Sequence, residues 1–404
     1  MANFNYKARD NTGKLVRGTL EAEAEGQVAD KLRRMGQAPI EISQAKAALK
    51  LQGLEDIFKR ISTEELVMFN IQLANMINSG LSILSSLEAL AKQMENKRFS
   101  EIVGSVMRSV ESGDSFSGAL AKHPKVFSHL FVSMVKAGEA SGNLDQVLNR
   151  YAAFAEAQED LKQKVQSALF YPAVLILAAI TVVGFIVTFI IPKFVVVFTR
   201  AGIALPVPTL MLYQAGIIIR QFWYLIILAF ALAAVAIKAY LGTERGKFKF
   251  DQLSLKVPII GALVRRTCIS RFARTFSTLI TSGVPILQAL DIVRAVVNNE
   301  VLGRVIKQMR QAAEKGERLA QTLKVSEEFP LDTVQMISVG EESGNLDGML
   351  NKISDFYDRA INYSIKKLTT ILEPAFLVVM GGVVAFIMAS MLLPMFDMMK
   401  LLRR

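Results

Sequence analysis

Two stretches of this chain gather the residue types from which a ligand site is commonly built. In "VKAGEASGNLDQVL" (Val135–Leu148), Gly138, Glu139, Ser141 and Gly142 are followed by Asn143 and Asp145. In "ISVGEESGNLDGML" (Ile337–Leu350) the same pattern returns as Gly340, Glu341, Ser343, Gly344, Asn345 and Asp347. A carboxylate, a hydroxyl and an amide between flexible glycines could ligate a cation. A structural reading competes with this. Gly142 suits the left-handed position beyond a helix end, Asn143 an N-cap, and Asp145 the first turn of the next helix. Gln146 would complete a capping box in the first stretch, and Gly348 cannot do so in the second. Capping leaves Gly138 and Glu139 unexplained, because glycine inside a helix costs about 1 kcal/mol against alanine. Three readings stay open: capping alone, capping with a subunit or partner contact, and cation binding.

Other chemistry is poorly supplied. "GTERGK" (Gly242–Lys247) imitates a phosphate-binding loop, but its glycine spacing is short and Phe248 stands where a hydroxyl should follow the lysine. No GxGxxG, HExxH or paired-cysteine pattern occurs. The two histidines, His123 and His129, and the single Cys268 cannot build a His-rich or structural zinc site. No catalytic residue, cofactor or metal is therefore assigned, and the chain is expected not to be an enzyme. Basic residues are interleaved with acidic ones, so no nucleic-acid partner is expected despite the net charge of +11. That charge suits anionic lipid headgroups or an acidic partner.

The elements that would position these motifs include membrane spans. The chain is 52% hydrophobic with 21% charged residues. Uncharged runs cover Val165–Pro192 (28 residues), Gln221–Ile237 (17) and Pro374–Phe396 (23). About 20 apolar residues in a helix cross a bilayer core. The second run is extended by Ile217–Ile219, with Arg220 snorkelling beside Trp223 and Tyr224. "MANFNYKARD" carries no signal-peptide core. Arg150, Lys162, Lys164, Lys238, Arg245, Lys247, Lys249 and Lys256 outnumber Lys193, Arg200 and Arg220 between the first two spans, placing the larger segments on the cytoplasmic side. No charge lies at the centre of a span, which argues against an ion-coupled transporter. Glu373 and Asp397 flank the third span instead. Gly381, Gly382 and Ser390 suit close helix packing there.

The chain is also duplicated. "FNIQLANMINSGLSILSSLEAL" (Phe69–Leu90) aligns with "FARTFSTLITSGVPILQALDIV" (Phe272–Val293) at an offset of 203, which becomes 202 by Phe127 and Phe329. A residue lost around Lys324–Glu328 is expected to lie in a loop. Pro172 and Pro192 match Pro374 and Pro394, marking the ends of the outer spans. Gly80 and Gly283 interrupt the helical periodicity and read as turns between antiparallel helices.

The expected fold is mainly α and polytopic, with two duplicated cytoplasmic helix bundles, three transmembrane helices and a small α+β N-terminal subdomain. Its segments are 1–45 (subdomain: hairpin through "NTGK", helix Ala24–Met35, strand Pro39–Ile42), 46–62 (linker, either amphipathic helix or plain connector) and 63–168 (first bundle). They continue with 169–192 (first span), 193–216 (periplasmic loop), 217–240 (second span), 241–371 (second bundle), 372–396 (third span) and 397–404 (periplasmic tail). Two crossings between the bundles return them to one side.

With "YKARDNTGK", "GQAPIEI", "NSGLSILSSLEAL", "ALFYPAVLI", "IIPKF", "AGIALPVPT", two "GExSGNLD" segments and "LEPAFLVVMGG…LLPMFDM", the chain resembles the GspF/PilC family along essentially its whole length. These are inner-membrane platform proteins of type IV pilus assembly and type II secretion, and "LPVPT" is closer to the pilus branch. The resemblance implies a non-enzymatic, multi-pass homo-oligomer in the bacterial inner membrane, its N-terminus cytoplasmic. It further implies a hexameric assembly ATPase as partner, a retraction ATPase as a second docking candidate, pilin or pseudopilin transmembrane helices, other inner-membrane assembly proteins and membrane lipid. A transporter or channel subunit is the remoter alternative.

Overall fold

The computed structural model describes residues 2–9, 15–22, 25–44, 61–200, 202, 205–258 and 260–402. It separates into two compact units, Met1–Ser62 with Ala89–Ser105, and Thr63–Glu88 with Val106–Arg404.

In the first unit, β1 (Ala2–Arg9) pairs antiparallel with both β2 (Leu15–Ala22) and β3 (Ala38–Gln44), giving the order β2-β1-β3. Helix α1 (Glu25–Arg34) sets Val28 and Leu32 against Ala8 and Ala22 in a small core. It is closed by Gly36 at φ 72°. The "NTGK" turn and the 46–60 stretch of the expected linker lie outside the described residues.

Helices α2 (Thr63–Asn78), α3 (Ile83–Gln93), α4 (Lys97–Glu111), α5 (Phe116–Ala121) and α6 (His129–Ser141) lead into the 42-residue α7 (Leu144–Phe185). After a five-residue π-helical turn, Ile186–Ile190, come α8 (Ile191–Arg200) and α9 (Val207–Leu241). The second copy follows as α10 (Glu244–Lys256), α11 (Ile260–Thr281), α12 (Ile286–Val297), α13 (Glu300–Glu314), α14 (Leu319–Ser326), α15 (Leu331–Ser343) and the 57-residue α16 (Leu346–Leu402).

The duplication is visible in the packing. Phe69 meets Phe127 with ring centroids 6.0 Å apart, and their counterparts Phe272 and Phe329 meet at 5.2 Å. Each of these four rings is buried, which stabilises by roughly 1.5–3 kcal/mol per side chain. Gly80 and Gly283, at φ 84° and 80°, turn α2 into α3 and α11 into α12. The two bundles also share a core. Leu130, Met134, Val147 and Phe154 join the buried cluster of the second copy, the Arg150 guanidinium donates to the Thr281 carbonyl, and Gln288 lies 3.5 Å from the Ser133 hydroxyl.

Among the described residues, three helices are long and apolar enough to cross a membrane: Leu144–Arg200, Val207–Leu241 and Leu346–Phe396. Outward residues such as Phe170, Leu177, Phe230 and Val378 are exposed, as a lipid-facing surface requires. Several sequence expectations change here. Segment 193–216, read as a loop, is helical at both ends, and only the stretch between Arg200 and Val207 connects α8 to α9. Pro192 does not stop its helix, because the preceding π turn loosens the hydrogen-bond ladder where the proline offers no N–H. Pro206 and Pro208 begin the next helix, where missing donors cost nothing. Pro172, Pro374 and Pro394 likewise lie inside continuous helices, so no break separates bundle from span at 168/169 or 371/372. Lys324–Ser326, expected in a loop, form the end of α14. The copies diverge in the connection that follows, which Glu327 enters at φ 54°.

Candidate functional site

Gly138–Glu139 and Gly340–Glu341 occupy the last turns of α6 and α15. Gly142 and Gly344 close those helices in the left-handed conformation, at φ 72° and 68°. The N–H groups of Asn143 and Asn345 reach back to the carbonyls of Gly138 and Gly340, each at 3.0 Å. This six-to-one closure satisfies carbonyls that a helix end would otherwise leave unpaired.

Asn143 departs from the expected N-cap. Its backbone sits at φ −109°, ψ 41°, and its side chain makes no capping hydrogen bond, so the capping box with Gln146 does not form. Its amide is committed to closing the preceding helix, and that backbone geometry lies outside the extended region a capping side chain needs. In the second copy the Asn345 side chain instead lies over Gly348, in the space a Cβ there would take. Ser141 and Ser343 turn their hydroxyls back onto the carbonyls of Gly138 (3.4 Å) and Val339 (2.7 Å).

The glycines permit a close approach. A Cβ on Gly138 would lie 3.1 Å from the Val147 Cβ and 3.3 Å from the Leu144 Cα. On Gly340 it would lie 3.1 Å from both the Leu346 Cα and the Met349 Cβ. Each glycine thus lets the outgoing helix fold tightly against the incoming one.

Both carboxylates are committed to a third helix. Glu139 Oε1 accepts from the Phe116 N–H at 2.6 Å, and Oε2 from the Ser117 N–H at 3.1 Å and the Ser117 hydroxyl. Glu341 Oε1 accepts from the Leu319 N–H at 2.7 Å and Oε2 from the Ala320 N–H at 2.9 Å. These are the first two amides of α5 and α14, which have no partner inside their own helices. A negative charge there also meets the positive end of the helix dipole. Ser115 supplies the next bond in the first copy, accepting from the Gly118 N–H at 3.1 Å. In the second copy Arg318 stands at that place, makes no cap, and pairs with Glu342 at 2.7 Å. Carboxylate oxygens turned toward amide donors stabilise an α-helical corner and leave little for a cation. No sequence signal marked Phe116–Ser117 or Leu319–Ala320 as partners, because they lie 21 to 23 residues upstream of the glutamates.

Beside Glu341 a cleft of about 560 Å³ is floored by Ile280, Ile286, Leu319 and Leu346 and rimmed by Glu317, Arg318, Glu342 and Asp347. Among the described residues, no three His, Cys, Asp or Glu side chains converge as a metal site would require. Burial raises the Tyr151 and Tyr357 phenols, against the opposing hydrogen bonds of Ser128 and Thr333. Burial likewise pushes the Cys268 thiol up to about 11, with Arg271 opposing and Asp251 adding to the shift. All three therefore stay neutral near pH 7. Of the residues expected at the span borders, Pro172, Pro192 and Pro394 are wholly or partly buried, whereas Glu373 and Pro374 are exposed. Sequence reasoning did not single out Thr209, whose hydroxyl donates to the Ser390 carbonyl, joining the second and third spans in a buried contact.

Residues 69–192 and 272–394 each match the family described as type II secretion system protein F, and residues 1–43 match that family's N-terminal domain. The chain is 37% identical over 398 residues to the type IV pilus assembly protein PilC of Thermus thermophilus, covering 97% of each. Over 400 residues it is 34% identical to the PilC of Myxococcus xanthus, covering 98% of this chain and 95% of that one. It is also 34% identical over 409 residues to the type II secretion system protein F of Vibrio cholerae, covering 100% of both.

Proposed function

The chain belongs to the type II secretion system protein F family, and from that premise we propose that it is the non-enzymatic platform of a type IV pilus assembly machine. The near full-length similarity to two pilus assembly PilC proteins carries this reading. In it, the N-terminus and both bundles face the cytoplasm, and three spans cross the bacterial inner membrane. A hexameric assembly ATPase acts on the bundles, with a retraction ATPase as a second docking partner. The spans receive pilin helices and contact other inner-membrane assembly proteins.

The continuity of α7 and α16 supports this role. Each helix belongs to a bundle at its start and to an apolar span further on, with no hinge at the junction. At 1.5 Å per residue, α7 alone extends about 60 Å. A tilt imposed on a bundle by an ATPase would pass into the membrane as rigid-body motion. The Gly-Glu corners hold that bundle together, and the cleft beside Glu341 is the site proposed for a partner segment.

Deleting the gene should abolish piliation while pilin and ATPase are still made. Normal piliation would overturn the reading. Intact piliation with lost protein secretion would favour the second reading, a secretion-system platform, which the similarity to the Vibrio cholerae protein supports.

A further inference from the structure

The contact between the two copies inside this chain is head-to-tail. The first copy contributes one face of α6 and α7, with Ser133, Ala137, Arg150 and Phe154. The second contributes a different face, the end of α11 and the start of α12, with Thr281, Val284 and Gln288. A contact between unlike faces leaves the complementary face of each copy unused.

Those unused faces can be located from the repeat, and burial shows them uncovered. Phe154 is 8% exposed, while its counterpart Phe356 is 50% exposed. Val284 is 4% exposed, while its counterpart Leu81 is 48% exposed. Val339, the counterpart of Ala137, is 50% exposed. Ser282 is buried and its counterpart Ser79 is exposed. The polar groups also correspond. Gln288 faces Ser133 within the chain, and the counterparts Ser85 and Gln335 offer the same two groups in exchanged places. Lys352 stands where Arg150 donates to the Thr281 carbonyl, and Asn78 carries the matching carbonyl.

From this we infer that a second copy of this chain seats its Asn78–Ser85 turn on the Val339–Phe356 face of the first, repeating between chains the contact made within one. Such a contact is directional, so chains join in a ring or a row and not as a two-fold pair. It concerns the chain's own surfaces and holds whatever machinery the assembly serves.

Val284 and Ala137 line one crevice in the internal contact, so Leu81 and Val339 are the positions to link. Cys268 is buried and its thiol is held protonated, so it stays out of the reaction. The full chain carrying both Leu81→Cys and Val339→Cys, in lipid nanodiscs with a mild oxidant, should form intermolecular disulfides and a ladder of multimers. Either substitution alone should give none, and the two single variants co-expressed should give mixed dimers only. No linkage in the double variant, or efficient linkage by a single one, overturns the inference. Independently, Leu81→Glu and Phe356→Glu should each weaken self-association at least ~10-fold, since a charge would be buried unpaired. Both side chains are exposed, so helix content and melting should not change. Unaltered self-association in both variants, including a case where only ATPase binding is lost, also overturns it.

Discussion

A single carboxylate in each copy performs a task that the sequence presents as ligand chemistry. Glu139 and Glu341 hold the opening amides of a neighbouring helix, and hydrogen bonds to a charged acceptor contribute more than neutral ones. Replacing Glu341 by alanine should therefore cost about 1–3 kcal/mol in chemical denaturation. Glutamine, which keeps one acceptor, should cost less. ATPase binding per folded molecule should stay unchanged. Loss of binding with stability intact would instead make Glu341 a contact residue. The glycine before it is legible in the same terms: the sequence marks it as costly inside a helix, and the structure shows Leu346 and Met349 where its Cβ would lie.

Among the elements, the π turn Ile186–Ile190 couples the first span to the second. Val187 is buried against α9, and a Cβ on Gly216 would strike its carbonyl. Gly216→Ala should therefore lower stability in detergent by the ~1–3 kcal/mol typical of overpacking. Gly184→Ala, with nothing within 4 Å of the added atom, should be close to neutral. A melting comparison in one detergent checks both, and equal effects would deny the π turn its packing role. No local signal marks the turn, since Pro394, the counterpart of Pro192, lies in a continuous α-helix without one.

At the scale of the whole molecule, a single unduplicated span, the second of three, is inserted between two copies of one unit. In the proposed topology, two crossings between the bundles place both on the same face of the bilayer, and the basic residues beside the first two spans favour the cytoplasmic face. A phosphatase that is active only outside the cytoplasm should be active when fused at Gly202 and inactive when fused at Pro258. The reverse pattern would invert the proposed orientation. The shared core built by Leu130, Met134, Val147 and Phe154 means that the two bundles should move together.

The sequence alone determined the membrane character, the duplication, the glycine turns and the helix-closing Gly142 and Gly344, because each follows from local composition, periodicity or backbone conformation. Tertiary structure decided what those features could not reach. Glu139 finds its amides 22 to 23 residues upstream, Arg150 reaches Thr281 from 131 residues away, and Phe154 is buried where Phe356 is exposed although both occupy the same place in the repeat. Equivalent residues carry equivalent local preferences, but burial depends on what lies across the interface, and only the folded chain supplies that neighbour.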